Sequence, residues 1–273
     1  MSLPGAKEIH PRQSKILVTM LRGSVEVKSC IFRSLGLLGI ILALTLAFSC
    51  LTAAQNQAEA VVEQANALLA TKQLPNIQQA IELLETALAD EPQNGDVLWV
   101  LAKAYLYLAD RTTDQKLALY EKGKAYADQA VEVAPNNPHC HYWQGALMGR
   151  IGQTRGVLNS LFMVKPLQET MELVLELDSN YADAHYALSN LYDQAPGWPL
   201  SIGNKNKALE HIEKALAIDP DNPEYKVQYA TVLLSHKRRD EARTVLMEAF
   251  ESPEMEIDEI LRNDAEALLE KLK

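Results

Sequence analysis

The side chains of this 273-residue chain that could do chemistry are few and scattered. His139, Cys140 and His141 form the one run that hints at a metal site. Neighbours at i and i+2 on a helix do not share a face, so these two histidines cannot easily ligate one ion. His139 follows Pro138 at a helix start and reads as a solvated or capping residue. Cys140 reads as a small buried packing residue, because no Ser/His/Asp set with a nucleophile elbow accompanies it. Cys30, Cys50 and Cys140 lie too far apart for a zinc site or a disulfide framework. The stretch QAPGWPLSIGNKNK (Gln194 to Lys207) lacks both the phosphate-loop frame and a preceding strand. It reads as a rigid turn in which Pro196 and Pro199 fix the backbone and Trp198 staples the loop onto the helices or a partner. Glu248, Glu251, Glu254 and Glu256 read as a solvated face. No catalytic residue, cofactor or metal is expected.

The elements that carry these residues repeat. ALADEPQN, AVEVAPNN, VLELDSNY and ALAIDPDN recur at steps of 43, 43 and 42 residues, with Pro92, Pro135, Asp178 and Pro220 as turn residues. Before three of the turns, small and aliphatic residues stand at matching offsets: Ala80, Leu84 and Ala87; Gly123, Ala127 and Ala130; Ala208, Ile212 and Ala215. Ala242, Leu246 and Ala249 repeat the spacing ahead of Pro253. Spacings of four and three put each set on one helical stripe, where small side chains let a neighbouring helix come close. Proline then ends the helix, having no N–H and clashing with the preceding turn. The sequence predicts an all-α solenoid of five helix pairs over about 57–254 and a capping helix at about 256–272. Its apolar side would be Ile257, Ile260, Leu261, Leu268 and Leu269. Extra residues are expected between paired helices around 110–118, 151–160 and 195–204, and Pro166 takes the place of the small residue in the third pair.

These residues resemble the tetratricopeptide repeat, with Ala102, Gly145, Ser189 and Ala230 as the small residues of the first helices. The departure is the period, against about 34 residues in the usual repeat. More narrowly, the run from His141 to Leu216 is similar to the T-component proteins of TRAP transporters and to the mitochondrial regulator of microtubule dynamics family. Both resemblances imply an all-helical repeat domain without catalysis. The first also implies an exported, often lipidated protein that associates with a transporter's substrate-binding protein.

The resemblance implies a concave groove lined by one face of each first helix, a surface on which an extended peptide or amphipathic helix can lie. Carried onto this chain, the groove positions are Trp99, Tyr142 and Tyr186, with Lys103, Arg150, Asn190 and Asp193 on the same face. Packing of the same aromatics between helices is the competing reading. In the lengthened third pair, Leu158, Leu161, Phe162, Met163 and Val164 form an apolar group downstream of Arg150 and Arg155. They predict either a helix extended into the core or a surface for an apolar ligand or a second copy of the chain. The expected ligand pocket comprises Arg155, Leu158, Phe162, Met163 and Trp198.

Ahead of the repeats, Leu35 to Ala54 are 20 residues without a charge, preceded by Arg22, Lys28 and Arg33. That is long enough to cross a bilayer and has the flank of an export signal. Met1 and Met20 both remain as starts. Three fates stay open: cleavage after Ala54, lipidation of Cys50 in a lipobox-like AFSC, or retention as an anchor. Each sends the repeat domain (55–273) across the membrane, to the periplasmic side of a bacterial envelope. Residues 1–49 hold six Lys/Arg and two Asp/Glu, so the rest carries 20 basic and 34 acidic groups. That acidic body excludes nucleic acid as a partner. Two functions remain: an exported adaptor holding a protein such as a transporter's solute-binding subunit, and an envelope protein binding an apolar small molecule.

Overall fold

The computed structural model describes residues 57–272. Helix α1 (residues 57–70) pairs with α2 (Leu74–Asp90). The pairs α3 (Gly95–Asp110) with α4 (Lys116–Val133) and α5 (Pro138–Thr154) with α6 (Val157–Leu177) follow. Then come α7 (Ala182–Gln194) with α8 (Lys205–Ile218) and α9 (Pro223–Ser235) with α10 (Arg239–Phe250). A single turn, α11 (Glu254–Ile257), leads into the last helix, α12 (Glu259–Lys271). The five pairs and the cap are those expected, and no strand occurs among the described residues.

Three of the pairs begin in the same local way, while α7 follows Tyr181 without a side-chain cap. Asn94, Asn137 and Asn222 cap α3, α5 and α9 by accepting from backbone N–H groups of the first turn. Such caps are worth about 1 kcal/mol each. The third unit corrects the expected frame. Asp178 is the residue that closes α6, as Glu91, Ala134 and Asp219 close α2, α4 and α8. Ser179 therefore stands where the others have proline, one residue later than Asp178. With that shift, Val164, Met171 and Val174 of α6 take the offsets of Tyr120, Ala127 and Ala130 of α4, and all six are buried.

Leu167, not Pro166, then occupies the small-residue position. The space is made on the facing helix instead. A Cβ on Gly145 would lie 2.3 Å from Met171 Cε and 3.2 Å from Leu167 Cδ1. In the second pair the sizes are reversed: a Cβ on Gly123 of α4 would come 2.9 Å from Tyr105 Cβ and 3.3 Å from the Ala102 carbonyl oxygen. Either arrangement packs the seam, because close packing asks for complementary volumes rather than a fixed residue type.

The extra residues also fall differently from expectation. Those at 151–160 lengthen α5 and α6 and leave only Arg155 and Gly156 between them. Residues 195–204 do form a loop, tied by Gly203 N–H to the Pro196 carbonyl and Asn204 N–H to the Tyr192 carbonyl. Gly203 is required there, since a Cβ would lie 1.9 Å from the Ala195 oxygen. Trp198 does not staple this loop to the helices; it is 90% exposed.

The cap is set by more than its apolar side. Met255, Ala265, Leu268 and Leu272 are buried in one cluster with Val227, Leu233 and Leu246 of the last pair. Ile257 and Ile260, expected on that side, are exposed instead. Asp258 breaks α11 from α12 by capping the latter. Its carboxylate also meets Arg111 Nη2 at 3.0 Å and Lys72 Nζ at 3.9 Å. The curvature of the array thus brings the cap back to the first two pairs.

Candidate functional site

A cavity of about 1040 Å³ lies inside this curve. It is walled by α3, α5, α7 and α9 and by the first half of α6, with α12 across one side. Because the first helices share one register, residues ten positions after each turn (Ala102, Gly145, Ser189, Ala230) are all buried in seams. Residues one helical step away face the cavity. Of the expected groove residues, Lys103, Tyr142, Arg150, Tyr186 and Asn190 line it together.

Trp99 and Asp193 are not among its lining residues. Trp99 stacks on His139 with ring centroids 4.8 Å apart and donates from Nε1 to Asp96 at 2.9 Å. It follows the competing reading, an aromatic packed between helices. Asp193 accepts from Ser235 Oγ at 3.1 Å and ties α7 to α9. His139 is exposed, as expected of a solvated residue, but it is not the cap: Asn137 caps the helix, while the His139 ring packs against Trp99 and Tyr181 with Nδ1 2.8 Å from the Tyr181 hydroxyl. His141 Nε2 sits 2.7 Å from the Pro135 oxygen, so the two rings serve different partners. Cys140 is fully buried, and burial pushes its thiol up to about 12, which keeps it protonated.

The residues expected to form a ligand pocket do not converge. Leu158 and Phe162 are 72% and 75% exposed and, like Trp198, line neither cavity. Arg155 pairs with Glu121 at 2.6 Å. It lines a smaller cavity of about 330 Å³ with Ile151, Gly152, Asn159 and Met163. Met163 also reaches the large cavity. Cys50 and the apolar run from Leu35 to Ala54 lie outside the described residues.

The sequence reading missed the charged partners in the cavity wall. Lys72, in the α1–α2 turn, packs 4.1 Å over the Tyr107 ring. Burial opposes its charge, but Tyr107, Glu224 and Asp258 outweigh that and hold its ammonium above the usual lysine range. For Lys103 the balance is the reverse, with Asp183 opposing the shift only weakly. That lysine donates to Asn66 Oδ1 at 3.0 Å, and burial, reinforced by the Lys72 charge, lowers it to about 8. Asp183 and Glu224 sit three residues before Tyr186 and Val227, one helical turn along the same face, and this spacing could have found them. The Tyr186 hydroxyl donates to Glu224 Oε1 at 2.9 Å, and that of Tyr225 to Asp183 Oδ1 at 2.5 Å. Water reaches Glu224, yet surrounding protein raises its carboxyl above the ordinary range despite the Tyr186 bond. Arg150 Nη2 meets Asp110 at 3.2 Å. No three His, Cys, Asp or Glu side chains gather as metal ligands among the described residues.

Five helix pairs in one register around a concave wall define a tetratricopeptide-type scaffold. The tetratricopeptide repeat family model matches residues 203–252. The model of "Regulator of microtubule dynamics protein 1-3" matches residues 61–192. Regulator of microtubule dynamics protein 2 of Mus musculus is 29% identical over 87 residues, 31% of this chain and 21% of the mouse protein. The Arabidopsis thaliana CTR9 homolog is 28% identical over 161 residues, 56% of this chain and 12% of that protein. The chain thus spans about a fifth or less of the curated relatives it matches. The crystal structure of a thermophilic TPR protein from Thermus thermophilus superposes with a TM-score of 0.61 at 21% identity, covering 78% of this chain and 98% of the other. That likeness is one of fold.

Proposed function

We propose that the chain is a non-enzymatic adaptor that holds a segment of a partner protein in the cavity between the inner faces of α3, α5, α7 and α9. The observation that carries this reading is that Lys103, Tyr142, Arg150, Tyr186 and Asn190, from three successive first helices, open on one space. Aromatic rings beside fixed polar groups suit an extended peptide or an amphipathic helix. Packed seams hold the wall in place, so little ordering cost falls on this side of a complex.

In its narrower form the proposal puts the repeat domain on the periplasmic side of a bacterial membrane, with a transporter's solute-binding subunit as the partner. The apolar run from Leu35 to Ala54 and its basic flank support export, and the resemblance of His141–Leu216 supports the partner. The domain is held by the run itself or by a lipid on Cys50, or is released after Ala54. The test is to crosslink the C-terminally tagged full chain in its native envelope and identify the captured proteins by mass spectrometry. A solute-binding protein is expected, and Tyr186→Ala should weaken its capture by about 2 kcal/mol, as for an aromatic hot spot. Equal capture by the variant would remove the cavity from consideration. The smaller cavity around Arg155 and Met163 supports a second reading, a small apolar ligand, which native mass spectrometry of the gently purified chain would reveal as added mass.

A further inference from the structure

The charged groups of the cavity wall are unevenly paired. Lys72 and Arg111 are committed to Asp258 and Arg150 to Asp110, while Lys103 makes no ion pair and donates to Asn66, its charge acting on Asp183 only from a distance. Asp183 and Glu224 have no cation within ion-pair distance among the described residues; each accepts only a tyrosine hydroxyl. Within reach of both charges is Tyr142, more than nine-tenths buried at 9% exposure. Its hydroxyl has no hydrogen-bond partner among the described residues. It still touches open space, because every fully enclosed side-chain N or O among these residues is satisfied. Since Tyr142 lines the cavity, that oxygen opens into it. Both Asp183 and Glu224 act on this hydroxyl and, after burial, hold its proton more tightly.

We propose that Glu224, Asp183, Tyr142 and Tyr186 form a subsite for an organic nitrogen cation, a guanidinium or alkylammonium group. This rests on reading the cavity as a binding surface and names the chemistry that one part of it selects. Two carboxylates in a partly desolvated wall repel each other, and a cation placed between them relieves that repulsion. The faces of Tyr142 and Tyr186 attract the same charge, and the free hydroxyl of Tyr142 can accept one N–H. A metal ion is the poorer fit, since it needs converging ligands that the wall does not supply. The cation can come from two sources: a lysine or arginine side chain of the partner, or a free polyamine.

Calorimetry on the purified full chain separates these sources with three probes. They are spermidine, an acetylated and amidated Gly-Arg-Gly-Arg-Gly peptide, and the same peptide with citrulline for arginine. Saturable binding of the arginine peptide over spermidine assigns the site to a partner's side chain, and the reverse order assigns it to a polyamine. In either case Glu224→Gln is expected to weaken binding about tenfold or more, as loss of a charge-assisted partner does. Tyr142→Phe, which keeps the ring and the packing, should weaken it about threefold. The thermal midpoint of each variant, measured alongside, shows that it folds. No saturation by either cation, equal binding of the citrulline peptide, or an unchanged affinity in Glu224→Gln would each overturn the subsite. If partner capture still depends on Tyr186 after such a result, the adaptor reading stands and only the cation subsite falls.

Discussion

Each first helix has two working faces, and their chemistry is opposite. One face is a dry seam in which Ala102, Gly145, Ser189 and Ala230 disappear completely or nearly so against the paired helix. The other, a few residues around the same helix, carries lysine, arginine, carboxylates and tyrosine into the cavity. The seam tolerates exchange of volumes between partners, as the second and third pairs show by placing their glycine on opposite helices. The cavity wall tolerates no such trade, since Lys72, Arg111 and Arg150 are paired across elements and Asp183 and Glu224 hold tyrosine hydroxyls of other helices. Stability therefore resides mainly in the seams, and selectivity in the wall.

The largest effect should come from breaking a seam. Gly123→Leu pushes a side chain against Tyr105 Cβ and the Ala102 carbonyl, neither of which can swing away. A cost of about 3 kcal/mol is expected, or a fall of roughly 10 °C in Tm at this domain size. A fall of under about 2 °C would mean that the second pair can repack. Opening the cavity should cost less. Asp258→Ala removes the cap of α12 and the partner of Arg111 and Lys72, for about 2 kcal/mol. Hydrogen exchange should then quicken in α11 and α12 while α3 to α8 keep their protection. Uniform loss along the chain would show that the seams depend on closure.

Acid should strike a seam selectively. His185 and His211, on α7 and α8, place their Nδ1 atoms 3.0 Å apart, so one ring must donate to a neutral neighbour. Burial, then the His185 charge, lowers His211 to about 4; burial and Lys214 lower His185. Glu210 opposes both shifts weakly, and Lys207 adds to that on His211. A folded value below the ordinary 6.5 means that the stability is present above that pH and lost as pH falls towards 4. Melting at pH 7 and 4.5 should show a drop of roughly 2–5 °C that His211→Leu lacks. An equal drop in both proteins would assign acid sensitivity elsewhere. The smallest effect lies on neither face. Lys237 is exposed in the α9–α10 turn at φ +65°, a conformation glycine adopts freely. Lys237→Gly should raise stability by about 0.5 kcal/mol, read as a small gain in Tm.

The seam was legible in the sequence and the wall only in part. Alanine and glycine at spacings of four and three before Pro92, Pro135 and Pro220 report helix packing directly. Where proline is absent, as at Ser179, the frame slipped by one residue, because Asp178 looks like a turn residue and is in fact the helix-closing one. On the wall, Lys103, Tyr142, Arg150, Tyr186 and Asn190 followed from register. Asp258 and Lys72 could not, since 186 positions of chain separate them and only the curvature of the whole array brings them together. The exposed Leu158, Phe162 and Trp198 mark the opposite failure: apolar type suggested enclosure, but their helix and loop ends protrude beyond the neighbouring pairs.

The most direct test of the central claim, that the cavity is the binding surface, is site-specific photocrosslinking in the native cell. A benzophenone amino acid is placed at Tyr186, inside the cavity, or at Glu176, exposed on α6 and absent from the cavity wall. A discrete partner adduct from position 186 and none from 176 is the result expected. Adducts from 176 alone, or from both positions equally, would contradict the account and move recognition to the outer helices.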